Sequence, residues 1–276
     1  LAGHPRIFGL VWAHVAHTDS RFDPELLTEF VNEYQTVQPL TIGELWAVAI
    51  SLRLILIENL RRVSGRIVTA RRSREEADVF ADQVLGAGMK SKLFPDILRQ
   101  IEDANHSHPY VVQLVHRLRD QEGFPAQVLD RLTIKLEAEG ASFEEAVSDE
   151  HHRQGAANVT VRNIVTSMRL ISDVNWETWF DSVSLVDKDL REKSRYGEMD
   201  FPSRTIYRNA VEELARGSAL SETDVAGACL AKAQAAGGDD NSAARDPGYY
   251  LIGPGRAALE TELGGVKVYD DFAHHP

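Results

Sequence analysis

Two carboxylates are the first candidates for chemistry in this sequence. Glu150 opens the segment EHHRQGAANVTVRNIVTSMR, and Asp200 lies in YGEMDFPSRT, immediately before a predicted helix. A pair of carboxylates that flank a glycosidic bond can act as general acid and as base or nucleophile. Both residues are therefore candidate catalytic residues, although Asp200 can equally cap the following helix, and spacing along the chain does not by itself select such a pair.

Charged residues also interrupt the most apolar stretch of the chain, residues 40–64. Glu44, Ser51 and Glu58 are spaced by seven residues and so share one helix face, whereas Arg53 lies on the opposite side. A buried guanidinium needs a carboxylate or carbonyl groups around it. The polar face is either a solvated stripe or a groove that binds a partner.

The charged residues of this stretch also bear on whether it crosses a membrane. They keep each apolar run well below the roughly 20 residues of a membrane span, so we predict a helix that does not cross a membrane.

Arginines form a third candidate set. Arg162 and Arg169 share one face of a predicted helix that begins near Ser142. Long polar donors in an apolar helix can build a hydrogen-bond network, which either joins helices or holds a sugar or phosphate. Arg204 and Tyr207 lie near the start of the helix that follows Asp200, where surface ion pairs and ligand binding are both compatible with the pattern.

The histidines and the single cysteine do not complete a recognised motif. His14 and His17 could share a metal ion, but matching cysteines or an HExxH pattern are lacking, so we predict packing and capping roles and no metal site. One cysteine, Cys229, excludes an internal disulfide and is typical of a small buried thiol in a reducing compartment.

Composition and charge narrow the class of protein. Hydrophobic residues make up 43% of the 276 residues and charged residues 26%, as in soluble globular proteins. The formal net charge is −12, which argues against a general nucleic-acid binder. It also argues against adsorption to an anionic membrane, although a local basic patch remains compatible with it.

Helical patterns dominate the elements that must position these residues. Asp23 followed by Pro24 predicts the start of one helix, and a capping box of Ser142 with Glu145 predicts another. Strand alternation is poor, and no Asn-Gly or Asp-Gly hairpin turn is present. We predict an all-α fold, a single multi-helix domain of roughly ten helices.

The predicted organisation has four parts. Residues 1–234 form the helical domain, and the Gly-rich residues 235–248 form a flexible linker. Residues 249–264 form a short C-terminal helix, and residues 265–276 form a tail whose origin the composition does not assign. The chain begins without a Met or a basic leader segment, which favours a piece of a longer protein.

Five strings carry a resemblance to a known family. They are HPRIFGLVWAHVAHTDSRFD, YQTVQPLTIGELWAVAISLRLILIENLRR, NVTVRNIVTSMRLISDVNWETWFDSVSLV, MDFPSRTIYRNAVEELARGS and DPGYYLIGPGR, in this order along the chain. Together they resemble the N-terminal region of bacterial cyclic β-1,2-glucan synthases, from about residue 3 to residue 260.

The resemblance implies one helical region of a very large inner-membrane protein. Such synthases join it to a membrane-embedded glycosyltransferase, which uses UDP-glucose and a divalent metal, and to modules related to glycoside phosphorylases. This chain holds none of those modules, so no family catalytic residue is transferred to it. We expect a noncatalytic scaffold or glucan-guiding domain on the cytoplasmic side of the membrane. Its partners would be the transferase and membrane domains of the same polypeptide, with β-glucan as a candidate ligand.

Aromatic residues would matter if the domain guides a glucan. Trp176, Trp179 and Tyr207 could stack on sugar rings, although tryptophan at helical spacing is also typical of a core.

Two other functions stay open. A glycosidase- or transglycosylase-like accessory domain would use the carboxylates Glu150 and Asp200. The last twelve residues, GVKVYDDFAHHP, instead resemble a motif of Mur-type peptidoglycan ligases. A ligase fragment is therefore the third hypothesis. It ranks last because the Gly-Lys-Thr phosphate loop of those ligases is missing.

Overall fold

The fold is all-α, as predicted. The computed structural model describes residues 3–87, 99, 107–119, 130–134, 142–237 and 242–264. Within these ranges there is no strand, and ten α-helices have seven residues or more, which confirms the expected roughly ten helices. The sequence also predicts helical segments over 94–104 and 125–137. Apart from residue 99 and residues 130–134, these segments lie outside the described residues, as does the Mur-like tail 265–276.

The helix bounds follow the sequence signals closely. Helix starts at Pro24, after the Asp23 cap, and at Phe143, after Ser142, match the predicted positions. The α-helices are, in chain order, α1 (Arg6–His17), α2 (Pro24–Gln35), α3 (Ile42–Ala87), α4 (His108–Arg119), α5 (Phe143–Asp173), α6 (Trp176–Val183), α7 (Leu185–Lys193), α8 (Phe201–Gly217), α9 (Glu222–Ala235), α10 (Pro247–Leu251) and α11 (Arg256–Glu262). Two 3₁₀ helices span Arg195–Glu198 and Ala243–Arg245.

The chain divides into two compact units. Unit 1 is formed by the described residues of Leu1–Ile55 and Ser167–Pro276, and unit 2 by those of Leu56–Thr166. The long helices α3 and α5 each contribute residues to both units.

A buried serine fixes the connection between α1 and α2 in unit 1. Ser167 donates a hydrogen bond to the carbonyl of Ser20 at 2.7 Å and accepts one from the Phe22 amide at 2.8 Å. The backbone of Asp19 and Ser20 is left-handed, with φ of 47° and 62°, a conformation unfavourable for most residues. The serine bonds offset part of that cost by satisfying buried backbone groups.

The core of unit 2 is built by α3, α4 and α5. Ala77 and Ala81 of α3 are fully buried in this core, and Ala146 contributes from α5. Gly65 lies inside α3, which runs through it as one continuous helix. The buried members of this core are Ala77, Ala81, Val84, Tyr110, Val111, Leu114, Val115, Leu118, Leu132 and Ala146.

The apolar stretch 40–64 becomes the first half of α3. Val48, Leu52 and Ile55 are buried in the core, and Ser51 is buried with them instead of facing solvent. In the part of the chain that the structure describes, no helix is both long and apolar enough to cross a membrane.

Candidate functional site

A buried ion cluster lies at the centre of unit 1. Arg208 is 0% exposed, and its Nε donates to the two carboxylate oxygens of Asp187 at 3.0 and 3.2 Å. Its Nη2 donates to Asp187 Oδ1 and to Asp181 Oδ1, each at 2.5 Å. A buried guanidinium is tolerated only when carboxylates neutralise it with good geometry, and this arrangement supplies two of them.

Asp187 receives further hydrogen bonds from neutral donors. It is 0% exposed and accepts from the hydroxyls of Ser184 and Tyr196, both at 2.6 Å. Burial, and then the charge and hydrogen bond of Asp187, raise the pKa of Tyr196 above its ordinary value of 10.0, so the phenol stays a donor. Burial acts to lower the pKa of Arg208, but the hydrogen bonds and charge of Asp187 raise this pKa above its ordinary value.

Aromatic rings enclose the guanidinium of Arg208. Its central carbon lies 4.7 Å from the ring centroid of Phe180 and 4.7 Å from that of Phe201. Trp46 stacks on Phe180 at 4.5 Å with an interplanar angle of 12°. Cation–π attraction in a desolvated site adds to the ion pairs. The Arg208 guanidinium and the groups around it therefore connect α3, α6, α7 and α8.

The predicted residues of the Asp200 segment lie at the edge of this cluster. Arg204 Nη1 donates to Asp181 Oδ2 at 2.6 Å, and the Tyr207 hydroxyl donates to Asp246 Oδ1 at 2.6 Å. Asp200 is exposed and accepts from the Ser203 amide at 2.9 Å, so its role in the structure is the N-cap of α8.

Two of the candidate residues on α3, Glu44 and Arg53, have hydrogen-bond partners within unit 1. Glu44 accepts from Arg6 Nε at 2.8 Å and from Arg6 Nη2, and it completes the capping box with Thr41. Burial opposes ionisation, but the hydrogen bond from Arg6 and that from the Thr41 amide lower the pKa of Glu44 below 4.5. Arg53 donates to the carbonyls of Ala49 and Ile171 at 3.4 and 3.5 Å.

Glu58, the remaining candidate on α3, belongs to unit 2. Both of its oxygens accept hydrogen bonds from Arg61 at 2.7 Å. The two residues lie one helical turn apart on the surface. Because the pair is solvent-exposed, it defines no binding site by itself.

Glu150 lies in a groove of unit 2 rather than on the surface. The residue is 5% exposed, and its Oε1 accepts from Arg74 Nη1 at 2.9 Å and from Gln154 Nε2 at 2.8 Å. The groove has a volume of about 540 Å³ and is lined by α3, α4 and α5. Its lining residues are Arg74, Pro109, Val112, Gln113, His116, Arg119, Phe143, Val147, Glu150, His151 and Gln154.

This groove combines an apolar wall with a fixed acceptor. Phe143 and Val147 give a flat apolar surface, while Glu150 Oε2 carries no hydrogen bond among the described residues. Hydroxyl-rich ligands are recognised by a few oriented polar groups beside apolar surface. The sequence pattern identified Glu150 but not Arg74, which fixes its orientation from α3.

The other predicted residues do not enter either site. Arg162 belongs to unit 2 and Arg169 to unit 1, and both are exposed on α5. Trp179 is 7% exposed and donates to Thr28 Oγ1 at 3.1 Å, and Trp176 donates to the Ile171 carbonyl at 2.9 Å. These two indoles and the buried Tyr207 belong to the packing of unit 1.

Metal binding and thiol chemistry find no support in the described ranges. No group of three or more His, Cys, Asp or Glu side chains there could hold a metal ion. Cys229 is buried and contacts the Pro247 carbonyl at 3.2 Å. Burial, and then the charge of Asp246, raise the pKa of the thiol to about 12, so it stays protonated at neutral pH.

Fold and site together define a helical module that is held by buried ion pairs and carries a polar groove. No family model matches the chain. The chain is 37% identical over 265 residues to the cyclic beta-(1,2)-glucan synthase NdvB of Rhizobium meliloti (strain 1021). The match covers 94% of this chain and 9% of that protein. The predicted resemblance to cyclic β-1,2-glucan synthases is thereby confirmed, for a short portion of such an enzyme.

Proposed function

We propose that this chain is a noncatalytic helical scaffold within a cyclic β-1,2-glucan synthase. The observation that carries the proposal is an apolar stripe on α3, formed by Trp46, Ile50 and Leu54, which we call the α3 stripe. Ile50 is 55% exposed and Leu54 is 52% exposed, on the side of the helix opposite to its buried core residues. Exposed apolar surface of this kind is typical of sites that pack against a protein partner.

Arg53 supports this reading of the α3 stripe. Its guanidinium is directed to the carbonyls of Ala49 and Ile171, so it does not place a free charge beside Ile50 and Leu54. The occupant we propose is another part of the same polypeptide, because the relative that the chain matches is so much longer than the chain. We assign UDP-glucose, the divalent metal and the membrane spans to those other parts, and we place this scaffold on the cytoplasmic side.

The positions of the two candidate carboxylates also support a noncatalytic role. Asp200 caps α8, and one oxygen of Glu150 accepts hydrogen bonds from Arg74 and Gln154. A glycosidase needs two carboxylates that face each other across a substrate. Asp200 and Glu150 instead each have a local structural task.

Charge in the α3 stripe should disrupt assembly of the complete enzyme. In a full-length synthase that contains this chain, the double variant Ile50→Glu with Leu54→Glu should reduce glucan synthesis by about tenfold or more, because two carboxylates would have to be desolvated at a packed interface. Product formed by isolated membranes from UDP-[¹⁴C]glucose measures the effect.

The control is Val37→Glu, which places a single carboxylate at an apolar residue that is 87% exposed in the connection between α2 and α3. This control should synthesise glucan at the unmodified rate. Wild-type synthesis by the double variant, present at normal abundance in the membrane, would overturn the scaffold proposal.

A glucan-guiding role is the second candidate, and the groove around Glu150 favours it. A sugar hydroxyl could donate to the unoccupied Oε2 of Glu150 while a ring face packs on Phe143. Glu150→Ala should weaken binding of linear β-1,2-glucan to this chain by about tenfold, since a hydrogen bond to a charged group contributes roughly 1.5–3 kcal/mol. Isothermal titration calorimetry with defined oligosaccharides measures the change.

Asp149→Ala is the control for that experiment, because Asp149 is the exposed neighbour on the same helix. Equal affinity of the Glu150 variant and the control would contradict glucan guiding. Release of glucose from the oligosaccharide by the wild-type chain, abolished in Glu150→Gln, would establish the glycosidase alternative instead.

A further inference from the structure

One segment of α3 is strongly basic in an otherwise acidic chain. Residues 61–74, RRVSGRIVTARRSR, contain six arginines and no acidic residue, although the whole chain has a net charge of −12. Such a concentration of guanidinium groups is typical of a surface that attracts anions. The scaffold function proposed above does not require it.

The basic segment lines a second groove of unit 2, with a volume of about 700 Å³. Arg62, Arg66, Thr69 and Ser73 follow one another at helical spacing, so they form a continuous line along one side of the helix. The start of α4 forms the opposite wall. The lining residues are Asn59, Arg61, Arg62, Gly65, Arg66, Thr69, Ala70, Ser73, Ser107 and Pro109.

Arg66 is the arginine of this groove that is available to a ligand. The described lining residues include no carboxylate, and Arg66 has no hydrogen-bond or ion-pair partner within the described ranges. Arg61 is paired with Glu58, which lies outside the groove lining. The hydroxyls of Thr69, Ser73 and Ser107 add neutral donors beside the guanidinium groups.

We propose that this arginine groove binds a phosphate-bearing ligand. A phosphate group offers several acceptor oxygens and matches the planar fork of a guanidinium, and hydroxyls complete its coordination by hydrogen bonds. The groove is large enough for either a diphosphate or a lipid headgroup. The site differs from the groove around Glu150, where Arg74 is already paired with a buried carboxylate.

Titration of this chain with two probes tests the proposal and separates the sources of phosphate. The probes are inorganic pyrophosphate and phosphatidylglycerol vesicles, each at low and at physiological salt. Binding of pyrophosphate alone identifies a soluble phosphate ligand, and binding of vesicles alone identifies a membrane headgroup. Either result supports the proposal if Arg66→Gln lowers the affinity by about tenfold or more.

Arg72→Gln is the matched control, because it removes the same charge from the same helix at an exposed position that does not line the groove. It should change the affinity by less than about twofold after correction for salt screening. Equal losses in the two variants would show diffuse electrostatic attraction, and absence of binding to both probes would show no site. Either outcome would overturn the proposal, while the scaffold experiment on the α3 stripe would be unaffected.

Discussion

Replacing Asp187 with alanine should lower the free energy of unfolding of unit 1 by about 3–5 kcal/mol. The variant would leave Arg208 buried with a weaker set of partners, because Asp181 supplies a single contact at its Nη2 while Asp187 supplies three. It would also remove the acceptor for the hydroxyls of Ser184 and Tyr196. A buried charge that keeps a single carboxylate partner, together with two buried hydroxyls that lose their acceptor, is among the costliest results of one substitution.

Tryptophan fluorescence during urea unfolding can measure this loss for unit 1 alone. All four tryptophans of the chain, Trp12, Trp46, Trp176 and Trp179, belong to unit 1. Asp189→Ala is the control, because Asp189 forms only a partly exposed pair with Lys193 at 3.2 Å. We expect a change below about 1 kcal/mol for the control. A loss for Asp187→Ala as small as that of the control would show that the ion cluster contributes little.

A double variant distinguishes the cost of unpaired charge from the value of the cluster itself. Asp187→Leu combined with Arg208→Met removes both charges and keeps apolar volume near Phe180 and Phe201. We expect the double variant to be more stable than Asp187→Ala, since replacing a buried ion pair by apolar side chains is often nearly neutral. The pair would then be coupled rather than additive.

Local signals in the sequence were sufficient to predict most helix starts. The Asp23 cap and the Ser142–Glu145 box both have the predicted hydrogen bonds. Each of these signals depends on groups within three residues of one another, so no knowledge of tertiary packing is needed. For the same reason Asp200 could be recognised as a cap as readily as a catalytic candidate.

The ion cluster could not be predicted because its members are distant in sequence. Arg208 and Asp187 are 21 residues apart and lie on different helices. Arg204 and Arg208 look equivalent in the sequence, but only Arg208 shares the buried face of α8 with Val211 and Leu214. One sequence signal points to Arg208, because this arginine occupies a core position of an amphipathic helix. Its partner still depends on how α6 and α7 pack.

The groove around Glu150 shows the same limit. The sequence singled out Glu150 as a carboxylate that could belong to a catalytic pair, yet the residue that orients it is Arg74, 76 residues earlier. Arg162 and Arg169 were predicted to share a network, but helical spacing alone does not say which face meets a neighbour. The structure leaves both exposed on α5.

Gly248→Ala should destabilise unit 1 by about 3 kcal/mol, whereas Gly227→Ala should stabilise it by about 0.5–1 kcal/mol. A Cβ atom at Gly248 would lie 2.0 Å from the Tyr207 hydroxyl oxygen and 2.8 Å from Asp246 Oδ1. It would therefore disrupt the Tyr207–Asp246 hydrogen bond of 2.6 Å, which joins α8 to the start of α10. A Cβ at Gly227, inside α9, would meet nothing within 4 Å and would only reduce the entropy of the unfolded chain.

The two glycine variants are matched controls, because the same chemical change is expected to alter the free energy of unfolding in opposite directions. Urea unfolding followed by tryptophan fluorescence gives both values for unit 1. Tyr207→Leu should remove the obstructing hydroxyl, so adding Gly248→Ala to it should cost clearly less than Gly248→Ala costs alone. If the two costs were equal, the close approach of Tyr207 to Gly248 would not be what requires glycine there. The segment after residue 242 would then be held to α8 more loosely than the Tyr207–Asp246 bond indicates.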